Sequence, residues 1–303
     1  MILNIPFLAS DESQFDPRWA EQGYGVEASL FDRAGVMDDD IWRRVRATVR
    51  RIARDVRPRS FTFHFPVNDS DFVAEPAVLD RVFQAIDLAA EHGLDGIVLH
   101  TNRTRPIERW HAMDLAAERR RLVETVALIR ARAAGAACWI GLENLPVVGN
   151  DATDADPLLV YAADMPPYVG GNVGVTLDFC HYSYSVHVAA LRRAGQLAEP
   201  ELYVRVLDES FEDFVPMLPY IVHHHFSAFR GLASRAGGRC VEGVLPWLGT
   251  VGEPVYAAAF RAIAASGARA VTLEIREDDY RRRRNVFRMI RWCERIIKSA
   301  GAS

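Results

Sequence analysis

Short apolar runs alternate with longer amphipathic stretches along the whole chain. Residues 1–9, 25–31, 60–65, 96–100, 138–144, 174–181, 219–226 and 270–275 are apolar, rich in β-branched and aromatic residues, and bounded by glycine, proline or polar clusters, so each reads as a buried strand. The stretches between them read as helices. Asp38 to Asp40 cap one that runs to about Val56, with Ile41, Val45, Val49 and Ile52 along one face. Others are expected over 76–92 (closed by Gly93), 114–134 (ending at Gly135), 156–168 (short, broken by Pro166-Pro167), within 185–217, over 254–265 and over 280–298. Eight strands alternating with helices predict a closed parallel (β/α)8 TIM barrel spanning 1–303 as a single domain. An open doubly wound sheet is the structural rival, but the first strand–helix turns carry no glycine-rich dinucleotide fingerprint.

Composition narrows the chemistry. Lys298 is the sole lysine and lies in the last helix, so Schiff-base, pyridoxal and P-loop chemistries have no lysine at a strand end. The formal net charge of −4 argues against a broad nucleic-acid surface. The four cysteines form no C-x-x-C pair, which argues against a disulfide framework or a thiolate zinc site. With no signal-peptide pattern and no apolar run of about 20 residues, the chain reads as a cytoplasmic protein without membrane insertion. Homo-oligomerisation is compatible with this composition.

The chemically active residue types gather where strands end. Residues 174–181 finish in Asp178 and His181, and five other runs carry His64, His100, Glu143, His225 and Glu274 at or near their ends. Barrel active sites lie at the C-terminal strand ends. Alternation puts Thr62, Thr176, His223 and Thr272 on the same inward face as His64, Asp178, His225 and Glu274. His224 faces a helix, and His92, His111 and His187 read as surface residues. So many carboxylates and imidazoles in one cavity repel or lose hydration unless a cation joins them. Mixed nitrogen and oxygen ligands without thiolate suit Mn²⁺, Co²⁺, Zn²⁺ or Mg²⁺. A lone strand histidine such as His100 is ordinarily a hydrogen-bonded core residue; the set Glu143, Asp178, His225 and Glu274 is what carries the metal expectation. The run Arg281 to Arg284 reads as a solvated helix start, and 227–252 as a flexible surface loop in which Arg235, Arg239 and Gly237-Gly238 could form a lid.

With these residues in place, the chain resembles the xylose-isomerase-like TIM-barrel superfamily through Leu142-Glu143-Asn144, Leu177-Asp178-Phe179-Cys180-His181, His225-Phe226-Ser227 and Thr272-Leu273-Glu274. That group includes sugar and sugar-phosphate isomerases and epimerases, inosose dehydratases and endonuclease IV-type enzymes. The resemblance implies a metal held by Glu143, Asp178, His225 and Glu274, with Glu143 and Glu274 moving a proton beside a carbonyl. It implies His181 on a small polyhydroxylated substrate, with Arg230 as a hydroxyl-binding arginine and residues 243–247 as the loop after the metal histidine. His64 and His100 are expected at the substrate or, as in the endonuclease IV branch, on a second metal bridged by Glu143. That branch also needs an acid-x-His pair where this chain reads Glu242-Gly243-Val244, so its third site is expected to be absent. The leading expectation is a metal-dependent isomerase or epimerase, with dehydration of a cyclic polyol using the same parts. A metal-dependent phosphodiesterase and a degenerate, non-catalytic barrel are the alternatives.

Overall fold

The computed structural model describes residues 1–300. Eight strands close into a parallel barrel: β1 (Ile2–Leu8), β2 (Gly25–Ser29), β3 (Phe61–His64), β4 (Gly96–His100), β5 (Trp139–Glu143), β6 (Val173–Asp178), β7 (Ile221–His225) and β8 (Ala270–Thr272). Each pairs with the next in the chain, and β8 closes on β1 through Ile2↔Ala270 and Asn4↔Thr272. The principal surrounding helices are α1 (Asp39–Arg51), α2 (Pro76–His92), α3 (Leu115–Ala133), α4 (Phe179–Arg193), α5 (Glu253–Ala265) and α6 (Arg284–Ala300). Among the described residues no helix is long and apolar enough to cross a membrane.

The sequence pattern explains this layering. Asp38 caps α1 by accepting from the backbone N–H groups of Asp40 and Ile41, and Trp42, Val45 and Val49 turn inward at helical spacing. On the strands, Phe63, Leu99, Leu142, Leu177 and Leu273 are buried between barrel and helices. The opposite face points to the barrel axis and is polar: Asn4, Glu27, Thr62, Thr176, His223 and Thr272 are all at most 2% exposed.

Several expected boundaries shift for local reasons. Residues 156–168 form two 3₁₀ turns, Ala162–Asp164 and Pro166–Tyr168, rather than a helix. Pro166-Pro167 withholds two amide donors there, and the Asp164 carboxylate takes the N–H groups of Val160 and Tyr161. The helix after β6 starts at Phe179, because Asp178 accepts from the His181 N–H and caps it. The α1 helix ends in a wider π-helical turn, Ile52–Val56, and Arg57 stops it at φ +53°. Pro219 and Tyr220 belong to a 3₁₀ stretch ahead of β7.

The 227–252 segment is more ordered than expected. It contains an antiparallel ribbon, Ala228–Arg230 with Val241–Val244. Its tip is tied down by Arg235, which donates to Glu108 at 2.8 Å, while the Arg239 guanidinium lies 3.6 Å from Asp151. Gly243 is held at φ +74°, where a Cβ would lie 2.9 Å from the Arg276 nitrogen and 3.0 Å from the Glu274 oxygen. The ribbon can lie against the end of β8 because that residue is glycine.

On the other side of the barrel mouth, Arg103 donates to Asp71 at 2.8 Å and pairs with Glu118, all three buried. Thr101 and the Arg103 backbone both bind Asp156, and a second ribbon joins Arg105–Pro106 to Asp154–Ala155. The loops after β4 and β5 are thereby locked together.

Gly174 marks a close approach within the barrel wall: a Cβ there would sit 2.8 Å from the Tyr220 carbonyl oxygen and 2.5 Å from Val222 Cγ1. Gly174→Ala should therefore lower the stability by about 1–3 kcal/mol, measured by urea unfolding. An unchanged midpoint would show that β7 can move aside at no cost.

Candidate functional site

The six strand-end residues converge on one point at the barrel mouth, and Glu143 at the end of β5 is its hub. Its Oε2 lies 3.0 Å from His64 Nε2, 3.2 Å from His100 Nε2 and 3.3 Å from His225 Nδ1. His225 Nδ1 is also 3.2 Å from Glu274 Oε1. Glu143, Asp178, His225 and Glu274 each offer one ligand atom, all within 4.8 Å of one another, and His64, His100 and Glu143 form a second such group. His64 Nδ1 donates to the Phe65 carbonyl at 2.9 Å, which leaves its Nε2 turned toward Glu143. His181, three residues into the turn after Asp178, donates through Nδ1 to the Asn144 carbonyl at 2.8 Å. Its Nε2 faces Glu242, 3.6 Å away.

The residues fit a divalent cation. Glu143 Oε1 and His225 Nδ1 are buried and have no hydrogen-bond partner, an expensive state for polar atoms of this kind. Ligands held at about 2.0–2.2 Å on one cation stand roughly 3–3.5 Å apart, the spacing observed between His225 Nδ1 and its two carboxylate neighbours. The electrostatics agree. Burial pushes the Asp178 carboxyl up to about 7, helped by Glu274 and Glu143 and opposed by His181. Burial would raise Glu143 too, but His225 and His100 outweigh it and hold it well below the usual carboxylate range. Burial disfavours a charged His225, yet Glu274, Glu143 and Glu27 raise it well above the ordinary imidazole value. His100 is lowered, because burial outweighs Glu143.

Above this cluster opens a cavity of about 660 Å³, within the range of small-molecule sites. Asp178, His181, Glu242 and Glu274 line its floor, and Phe31, Arg239, Arg276 and Tyr280 its rim. Of the four-residue group Glu274 is the accessible carboxylate, with its side chain 32% exposed, whereas those of Glu143 and His225 are at most 1% exposed. Arg230 does not line this cavity; exposed on the ribbon, it borders a separate depression with Leu248, Arg276 and Arg288. His223 lies deeper on the barrel axis, stacked on Trp139, with Nε2 2.9 Å from Thr272 Oγ1. His224 points outward, and burial keeps it neutral by lowering it to about 3. Of the arginine run, Arg283 is not solvated. It is 1% exposed beside Trp19 and Tyr280, and burial lowers it to about 10.

One inner residue gave no strand-end signal. Glu27 sits mid-strand in β2, fully buried, and reaches across the barrel to His223 and His225, whose imidazoles hold it well below the carboxylate range against the opposing effect of burial. The charge inside an otherwise apolar run, Gly25-Val26-Glu27-Ala28, was the signal available in the sequence.

The profile of the xylose isomerase-like TIM barrel family matches residues 21–296, and the chain belongs to that family. No curated protein matches the sequence. Among solved structures, the chain is similar to a Thermus thermophilus protein soaked with ZnCl2, at 21% identity and TM-score 0.62 over 99% of both chains. It is also similar to 3-keto-D-glucoside 4-epimerase from E. coli, at 17% identity and TM-score 0.59 over 97% of this chain and 99% of that one. A third is mannonate dehydratase from Streptococcus suis serotype 2, at 10% identity and TM-score 0.65 over 99% and 96%. At these identities the likeness is one of fold.

Asp178 combines a crowded buried charge with a helix cap, and asparagine caps as well as aspartate does. Asp178→Asn should therefore stabilise the metal-free protein by about 1 kcal/mol, read as a raised thermal midpoint. A lowered midpoint would mean that the carboxylate is compensated in the absence of metal.

Proposed function

We propose that this protein is a divalent-metal-dependent isomerase or epimerase acting on a small polyhydroxylated ketone. The observation that carries this reading is the set Glu143, Asp178, His225 and Glu274, gathered within 4.8 Å of one another beneath a cavity of about 660 Å³ that Asp178 and Glu274 line. Those four residues would hold the cation, and the chemistry it supplies when bound is Lewis acidity toward the substrate's oxygens. Glu274 faces the cavity and takes the proton from the carbon beside the carbonyl, as the C–H electron pair moves toward the carbonyl oxygen. Glu143, buried beneath the floor, would draw a proton from its histidine partners and return it to complete epimerisation or a shift to the neighbouring carbon, while Glu274 passes its own proton to solvent through the cavity. His181 has its Nδ1 proton committed to Asn144 and turns Nε2 to a substrate hydroxyl. The rim supplied by Phe31, Tyr280 and the ribbon excludes bulk water from the reacting carbon. The sugar-epimerase and dehydratase neighbours support the same class of substrate, and loss of water from a polyol needs the same acid and base.

A second reading has its own observation. The group His64, His100 and Glu143 could hold a further cation, with Glu143 shared between the two sites. Two such ions are the arrangement that hydrolyses phosphodiesters.

Elemental mass spectrometry on protein purified without chelator separates these readings. About one exchangeable Mn²⁺, Co²⁺ or Mg²⁺ per chain, with solvent deuterium entering a ketose during turnover, is the expected result. Two or more tightly held Zn²⁺, with cleavage of bis(p-nitrophenyl) phosphate, would favour the second. A chain that takes up no cation on titration overturns both and leaves a binding barrel.

Glu274→Gln should lower kcat by about 10²–10⁴-fold with an unchanged circular dichroism spectrum. Full metal content together with full turnover in that variant would remove Glu274 from the reaction.

A further inference from the structure

Glu27 is a carboxylate at the centre of the barrel, and neither the cavity nor the strand-end cluster includes it. It is 0% exposed and its four residue partners are two hydroxyls and two imidazoles. Barrel interiors are ordinarily filled with branched apolar side chains, so a buried acid here needs a reason.

Its two oxygens are used differently. Oε2 accepts from Thr62 Oγ1 at 2.7 Å and from Thr272 Oγ1 at 3.2 Å, which fixes the carboxylate's orientation. Oε1 has no donor of its own, and the nearest polar hydrogen-bearing atom is His225 Nε2, 3.1 Å away. Nε2 lies 3.4 Å from Oε2 as well, so the imidazole edge straddles the carboxylate. On the opposite edge of the same ring, Nδ1 faces Glu143 and Glu274 at 3.3 and 3.2 Å. A carboxylate can only accept, so the proton between His225 and Glu27 resides on Nε2, and Nδ1, which faces Glu143 and Glu274, is the nitrogen left for a cation seated among them. His223 does not compete for this place, because its Nε2 donates to Thr272 Oγ1, which in turn donates to Glu27.

The geometry points to Glu27 as a positioning residue that holds His225 by its Nε2–H, so that Nδ1 is the nitrogen offered to a divalent cation. This rests on the metal-dependent reading above. It adds that the affinity of the site is set partly from beneath, by a residue that does not line the cavity. A carboxylate behind a ligating histidine fixes the ring and strengthens its donor nitrogen, and its loss typically weakens metal binding 10–100-fold.

The test uses Glu27→Gln, which keeps the shape and removes the charge. Zn²⁺ affinity is measured for the wild type and the variant by competition with a chromophoric chelator. Long-range ¹H–¹⁵N correlation spectra of the Zn²⁺-loaded proteins, labelled at histidine, report which nitrogen of His225 carries hydrogen. The expected outcome is a His225 ring protonated on Nε2 in the wild type, with a Kd raised 10–100-fold and that signal shifted or lost in the variant. Equal affinity in both proteins, or a wild-type ring protonated on Nδ1, overturns the role of Glu27 and leaves metal binding intact. A wild type that binds no Zn²⁺ overturns the metal reading and this role with it. Should Glu27→Gln not fold, the wild-type spectrum decides alone. A purely structural role would lower the thermal midpoint of the metal-free variant while leaving Kd and the Nε2 signal in place.

Discussion

Carboxylates withdrawn from water must be matched, and inside this barrel the ionisable groups among the described residues that match them are imidazoles. Glu27 and Glu143 are both fully buried, with no lysine or arginine in contact, and each is drawn well below its ordinary range by the histidines around it. The partners come from different strands: His64 from β3, His100 from β4, His223 and His225 from β7, against acids from β2 and β5. Barrel closure and site assembly are therefore one event. A register slip in any of these strands would flip an acid or an imidazole to the helix side and leave its partner unmatched in the interior.

Much of this was legible because strand ends are the least ambiguous positions in an alternating α/β sequence. An apolar run that stops at His64, His100, Glu143 or Asp178 fixes both the element's end and the residue's inward face by the period of two. That placed six residues at the strand ends, and the four-residue group was singled out because buried carboxylates need partners. Glu27 was hidden because it lies mid-strand, where no strand end marks it, and is recognisable only once β7 and β8 are seen across the axis. Arg283 was hidden by its neighbours: three of four consecutive arginines are solvent-facing, and the left-handed backbone at φ +51° turns the remaining one inward. Residues 156–168 had enough apolar content for a helix, but side-chain hydrogen bonds from Asp164 compete with a helical ladder, and composition does not reveal such bonds.

The turn after β6 shows how local and chemical demands are met by the same atoms. Asp178 starts α4 by capping its first turn, and that cap fixes the backbone that carries His181. Asn144 reinforces both, donating to the Asp178 carbonyl and accepting at its own carbonyl from His181 Nδ1. The Leu-Glu-Asn and Asp-x-x-His segments are thus physically one unit, joined between adjacent strands β5 and β6.

The mouth of the barrel is unequal in its two halves. The loops after β4 and β5 are cross-braced by buried Arg103, Asp71, Glu118 and Asp156, and of their residues Asn150 reaches the cavity wall. Most of that wall comes from the ends of β1 and β2, the ribbon at 228–244 and the segment 275–283. Change is therefore cheap on one side and costly on the other. Exchanges among ribbon and rim residues would reshape the cavity, while the braced half holds the acid–imidazole cluster in place. The fold separates the part that must be kept from the part that is free to diverge.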